Sequence, residues 1–211
     1  MSKIRVMSFN IRNACDRGAE SWEARIDNFV ALVKNAAPDL MGFQEVLPGQ
    51  YLDLIERFPE YNYSGVGRDD GANSGEYAAI FYRKDRFELI ETDTFWLSET
   101  TDKPSMGWDA VCIRICTWVR LFDKQTQKEF IHFNTHLDHV GQTAMLEGAK
   151  LIRQNMLDKK TPAFATGDFN VQEKSAPYNI MTQTGLLDAK YAAKSSMSHG
   201  TFNNYQPGET V

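Results

Sequence analysis

Apolar runs of strand length recur along this 211-residue chain, and four of them end in a cluster of polar side chains. That pattern constrains the fold most, because a strand buried along its length delivers its last residues to the rim of a sheet. The run Pro162-Ala163-Phe164-Ala165 reads as a buried strand and stops at the turn signal Gly167-Asp168. Asp168 and Asn170 lie two residues apart, and on an extended segment such residues point the same way. A carboxylate and an amide then stand side by side at the rim. The carboxylate can orient a water or hold a hard cation, and the amide can do the same for a phosphate oxygen. Asp and Asn also favour ordinary turns by bonding their own backbone. Both readings fit this stretch taken alone.

The other clusters emerge in chain order. Residues 4–11 alternate as a strand that finishes in Asn10 and Arg12. Ser21 reads as an N-cap, and Ile26, Phe29, Val30 and Val33 recur at helical spacing until Pro38 closes the helix. Residues 39–44 form the next strand and deliver Glu45. This opening is βαβ-like, so parallel neighbours would bring Glu45 beside Asn10. A solvated Glu before a helix is the commoner fate of any one Glu. A second helix over 49–58 turns Leu52, Ile55 and Phe58 inward, and 61–66 is a short strand. Residues 67–75 form a polar, Gly-rich loop, expected to be mobile and near a surface opening.

Residues 76–82 and 87–91 read as a hairpin, and 94–98 continue its sheet. Trp108 ends a polar loop, where ligand contact and packing over the sheet edge are equally good readings. Residues 111–122 and 130–135 read as neighbouring antiparallel strands, the second ending in Asn134-Thr135-His136-Leu137-Asp138-His139. Two of the four histidines fall in this one cluster. His-x-Asp-His suits zinc, but the remaining clusters are oxygen-rich and favour magnesium or manganese. A helix over 142–156 turns Ala144, Ala149, Ile152 and Met156 inward, a last helix covers about 176–184, and the tail reads as loop.

The length suits one domain over 1–211. A net charge of −5 and a pI near 5.4 argue against a general nucleic-acid coat protein, though not against a nucleic-acid enzyme. Cys15, Cys112 and Cys116 have no metal-like spacing, and the latter two read as core thiols. An odd cysteine count and the absence of a signal-like N-terminus or a membrane-length run predict a cytoplasmic protein without a membrane span, and a monomer is expected.

Taken in order, Phe9-Asn10-Ile11-Arg12, Gln44-Glu45-Val46, Asn134-Thr135-His136-Leu137-Asp138 and Gly167-Asp168-Phe169-Asn170 resemble the endonuclease/exonuclease/phosphatase superfamily. The resemblance runs from Ile4 to Tyr205. It implies an α/β, four-layer sandwich of two mixed β-sheets flanked by helices, as in DNase I. It also implies hydrolysis of a phosphate ester with a divalent cofactor, Mg2+ or Mn2+. Carried over, Glu45 is the main metal ligand with Asn10 beside it, and Asp168 positions or deprotonates the attacking water. Asn170 holds a phosphate oxygen or assists the metal, and His136 contacts the scissile phosphate. The candidate substrate-binding residues are Arg12, Asn134, Asp138, Arg114 and Trp108. A guanidinium matches phosphate geometry, and ion pairing or packing would equally explain Arg12 and Arg114.

The family pattern ends in an Ile-Asp-Tyr-like strand and a Ser-Asp-His motif, which this sequence lacks before Val211. None of His132, His136, His139 or His199 is placed to match that histidine, and His199 reads as a loop residue. The expectation is a C-terminally incomplete domain, to which about fifty further residues would add stability and activity together. Its function is expected to be metal-assisted hydrolysis of a phosphodiester or phosphomonoester. A small phosphodiester, a sugar phosphate, a lipid headgroup and nucleic acid all remain as substrates. The alternative is a non-catalytic module that kept the fold and binds a phosphate ligand.

Overall fold

The computed structural model describes residues 3–183, 185–197 and 201–202. Among the described residues, eight strands form two four-stranded sheets. The first sheet contains β1 (Val6–Asn10), β2 (Leu40–Val46), β3 (Tyr61–Ser64) and β4 (Tyr77–Arg83), in the order β1-β2-β4-β3. The second contains β5 (Phe87–Trp96), β6 (Ile115–Asp123), β7 (Lys128–His136) and β8 (Ala163–Asp168), in chain order. The β1–β2 and β7–β8 pairs are parallel and the others antiparallel. Helices α1 (Trp22–Ala36) and α2 (Pro48–Arg57) cover the outside of the first sheet. Helix α3 (Gln142–Asp158) covers the second, with the short α4 (Ala176–Met181) against it and α5 (Ala189–Ala192) beyond.

Strand alternation divides most of the apolar side chains among three cores, with a smaller cluster of Ala78, Trp96 and Ile115 beside them. Met41, Phe43 and Phe81 point outward to Phe29, Val33 and Leu54 of the helices. Leu40, Ile80 and Tyr82 point inward to Phe87, Val119 and Leu121, which fill the gap between the sheets. Ile131 and Phe133 point to Ile152 and Met156 of α3. This is the four-layer sandwich expected. Ser21 caps α1 by accepting the Ala24 amide, and Ala37, left-handed at φ 43°, ends it before Pro38. The expected inward residues of α3 are all buried.

Several local expectations are corrected. Strands β4 and β5 do not form a hairpin, because they belong to different sheets and the chain crosses the sandwich between them. Phe87 is drawn into the inter-sheet core. Beside it Arg86 is buried between Asp123 at the end of β6 and Asp39. Residues 94–96 belong to β5 itself. Leu52 is 67% exposed, and Gln50 and Leu54 are the buried residues of α2. Strand β6 starts only at Ile115. Cys116 is a core thiol, but Cys112 is half-buried. The loop at 67–75 is tied down by the Asp69 amide to the Ser74 carbonyl and by Asp70, which accepts the Ala72 and Ser74 amides. Residues 199 and 205 lie outside the described residues.

A polar cluster joins the sheets near the rim. Asn134 of β7 donates to the carbonyls of Phe43 (2.9 Å) and Ala79 (3.0 Å) on β2 and β4, and its amide oxygen accepts from Gln44 Nε2 (2.7 Å) and Thr166 Oγ1 (2.9 Å). The β2–β4 register slips between Phe43 and Val46, so β2 carries one extra residue there. Gly42 lets the sheets approach, since a Cβ there would lie 2.1 Å from Thr166 Oγ1. His132 stacks on Phe164, and its Nε2 is 2.7 Å from the same Thr166 hydroxyl.

Asn134→Ala is expected to lower stability by at least about 2 kcal/mol, because it takes the side-chain donors from the buried Phe43 and Ala79 carbonyls and an acceptor from Gln44 and Thr166. Leu52→Ala should stay within about 0.5 kcal/mol, with urea unfolding as the readout for both. Burial pushes the His132 pKa down from 6.5 to about 3. Between those values the unfolded chain binds more protons than the native one, so stability is full above 6.5 and falls as pH drops through this window. Going from pH 7 to pH 5 should remove about 2 kcal/mol through His132, and His132→Gln should flatten the pH dependence by about that amount.

Candidate active site

Strand ends from both sheets meet at one rim. β1, β2, β7 and β8 finish there, and β4 and β6 begin there. The slip in β2 leaves Glu45 in the left-handed region at φ 61°, which re-aims its carboxylate. Asn10 Nδ2 donates to Glu45 Oε1 at 2.8 Å and to Asp168 Oδ2 at 3.0 Å. Glu45 Oε2 accepts the Asn13 amide at 3.0 Å. Three clusters far apart in sequence and drawn from both sheets thus converge on one amide.

Asp168 also accepts the Asn170 backbone amide (3.1 Å), and His136 Nε2 lies 3.8 Å from its Oδ2. Strand β8 ends at Asp168, and Asn170 is left-handed at φ 50°. The pair is therefore brought together by an Asp-led turn and not by a continued strand. The turn reading of the motif is the one seen in the backbone. The Asn170 side chain donates to the Leu137 carbonyl. Burial, with help from Arg114, pushes the His136 pKa down to about 3, so its imidazole is neutral near pH 7.

A cleft next to these groups is lined by Glu45, Arg68, Glu76, Arg114 and His136, over the β4 and β6 backbone at Ala78 and Ile115. Arg68 and Glu76 pair at 2.5 Å, and Glu76 accepts from Asn13 Nδ2 at 3.0 Å. A hydrogen-bond chain therefore runs from Arg68 through Glu76 and Asn13 to Glu45, then through Asn10 to Asp168. Sequence reading missed Arg68, Glu76 and Asn13. Their signal was position alone, since each flanks a strand end or sits in the Gly-rich loop.

Four predicted substrate contacts stand elsewhere or act otherwise. Asn134 is fully buried and spent on the inter-sheet bonds. Asp138 is buried and accepts the Val111, Val140 and Gly141 amides. Burial raises its pKa, but those amides and Arg114 outweigh this and hold it below the usual carboxylate range. Arg12 pairs with Asp16 at 2.6 Å and Glu20 at 3.1 Å, the ion-pair alternative. Trp108 is not among the residues lining the cleft, and its amide donates to Glu99. Its neighbour Asp109 instead caps α3 by accepting the Thr143 and Ala144 amides. Arg114 does line the cleft.

The oxygen-rich set around Glu45 and Asp168 fits a hard divalent cation, since two carboxylates already converge on one partially positive group. Asn10 turns its NH2 to them, while its oxygen accepts the Arg12 amide. Cys112, Asp138 and His139 are also within ligand range of one another. That trio does not fit a metal, because Arg114 Nη2 lies 3.1 Å from His139 Nδ1 and brings a positive charge beside it.

Residues 7–210 match the model of the Endonuclease/Exonuclease/phosphatase family, and the chain belongs to that family. It is similar to a mannosyl-6-phosphatase from Bacteroides thetaiotaomicron, at 40% identity and a TM-score of 0.90 over 99% of this chain and 82% of that one. An endonuclease/exonuclease/phosphatase family protein from the same organism is 42% identical with a TM-score of 0.82, over 86% of this chain and 69% of that one. An uncharacterized protein of Acanthamoeba polyphaga mimivirus is 28% identical over 72% of this chain and 60% of its own length. The chain thus spans less than two thirds of that curated relative. Among the described residues no helix is long and apolar enough to cross a membrane.

Proposed function

We propose that the chain is a divalent-metal-dependent phosphoesterase. The observation that carries this reading is the Asn10 amide bridging Glu45 and Asp168 at the meeting point of both sheets. Glu45 would hold Mg2+ or Mn2+ with Asn10 beside it, and a cation bound there would neutralise charge on the phosphoryl oxygens. Asp168, fixed by the Asn10 and Asn170 amides, orients a water and takes up its proton as the water oxygen bonds to phosphorus. The bond from phosphorus to the ester oxygen breaks, and that oxygen leaves as the alcohol once protonated. His136, neutral and next to Asp168, donates a hydrogen bond to the phosphoryl group as its charge develops. Asn170 aids in holding a phosphate oxygen. The name of the mannosyl-6-phosphatase relative points to sugar phosphates as one substrate group to test.

Asp168→Asn should cut the turnover of aryl phosphate esters in Mg2+ or Mn2+ by at least about a hundredfold with unchanged unfolding behaviour. Chelation should abolish turnover in the parent protein. A variant as fast as the parent would sink the reading. Phosphate binding without turnover in either protein would favour the non-catalytic module.

A further inference from the structure

Two buried arginines in this protein have opposite surroundings. Arg86 is 5% exposed and is held by carboxylates, Asp123 at 3.0 and 3.2 Å and Asp39 at 3.1 Å. Its charge is matched inside the fold. Arg114 is equally buried at 5%. Its nearest carboxylate, Asp138, stands 3.9 Å from Nε, beyond hydrogen-bonding distance, and is occupied by three backbone amides. The hydrogen bond that Nη2 makes is to a histidine nitrogen, and Nε has no hydrogen-bond partner. Keeping a cation out of water without a hydrogen-bonded anion is unfavourable, and such a group marks a place where an anion is meant to bind.

Arg114 faces the same cleft as Glu45 and His136, and Arg68 lines it too. Arg68 Nε is also buried without a hydrogen-bond partner, although Asp69 stands 3.7 Å from it and Glu76 pairs with Nη1. Two guanidinium forks therefore stand at one small cleft beside the candidate metal carboxylate. A phosphodiester brings one negative charge and two non-bridging oxygens. A phosphomonoester brings about 1.5 to 2 charges near neutral pH and three non-bridging oxygens. Two forks and the His136 ring offer donors to three oxygens, and Arg114 brings a charge that no hydrogen-bonded carboxylate offsets.

We propose that Arg114 and Arg68 form a subsite for a terminal, dianionic phosphate, so that the preferred substrate is a phosphomonoester. This rests on the phosphoesterase reading above. Hydrolysis then transfers the phosphoryl group to water and releases inorganic phosphate and an alcohol, with one proton passing to the leaving oxygen.

The test compares kcat/KM for p-nitrophenyl phosphate and bis(p-nitrophenyl) phosphate in Mg2+, for the parent, Arg68→Gln and Arg114→Lys. The parent should favour the monoester by at least tenfold. Both variants should lose tenfold or more on the monoester and less than threefold on the diester. A parent preference for the diester, or equal losses on the two substrates, overturns the proposal. Should Arg114→Lys fail to fold, the more exposed Arg68→Gln decides. If the parent turns over neither substrate, the phosphoesterase reading fails by itself. Calorimetry with inorganic phosphate then judges the subsite. Binding weakened tenfold or more by Arg68→Gln supports it, and no binding, or binding unchanged in the variant, overturns it.

Discussion

The site depends on Asn134, a residue that never reaches it. The extra residue in β2 disturbs the ladder with β4, and buried carbonyls cannot be left without partners. Asn134 reaches across from the other sheet and supplies both donors, to Phe43 and to Ala79. That makes the irregularity tolerable in the middle of a buried sheet. It also sets the spacing of the two sheets at the rim, where Gly42 leaves room for Asn134 and Thr166. A buried amide with every group satisfied rigidifies its surroundings. Here the surroundings include the backbone next to Glu45.

From that fixed point the chemistry follows by short steps. The left-handed backbone at Glu45 turns its carboxylate toward Asn10. The parallel pairing of β1 with β2 sets Asn10 beside Gln44. The parallel pairing of β7 with β8 sets His136 opposite Asp168. The sandwich then brings the two pairs within reach of one amide. No single element carries the site, so each of its groups needs the whole fold to be in place.

The fold was legible where local pattern and burial agree. Helix α1 announces itself by its Ser21 cap and the spacing of Ile26, Phe29, Val30 and Val33. The sheet assignment of β4 and β5 was not legible. Two apolar runs around a short turn satisfy hairpin rules, and only Arg86 and Phe87, held by residues distant in sequence, reveal the crossing. Glu45, Asn10, Asp168 and His136 could be picked out because each ends an apolar run. Asn134 shared that signal yet is structural, since strand-end position does not say which way a side chain points. Arg68 lay in a segment whose composition says only loop, and Glu76 opened an apolar run as one more solvated carboxylate. Their meeting with Glu45 depends on how that loop folds over the rim.

Strands β1 and β8 are the outer strands of their sheets among the described residues, and they lie on the same flank of the sandwich, joined through Ser8 and Gly167. Asn10 and Asp168 ride on these two margins, whereas Glu45 sits on an inner strand. Margins open more easily than centres. The free energy that separates a competent site from a broken one is therefore the local cost of loosening one flank. That cost is smaller than the cost of unfolding the molecule. Warming or mild denaturant would disperse the carboxylate pair while the helices and the inner strands remain in place.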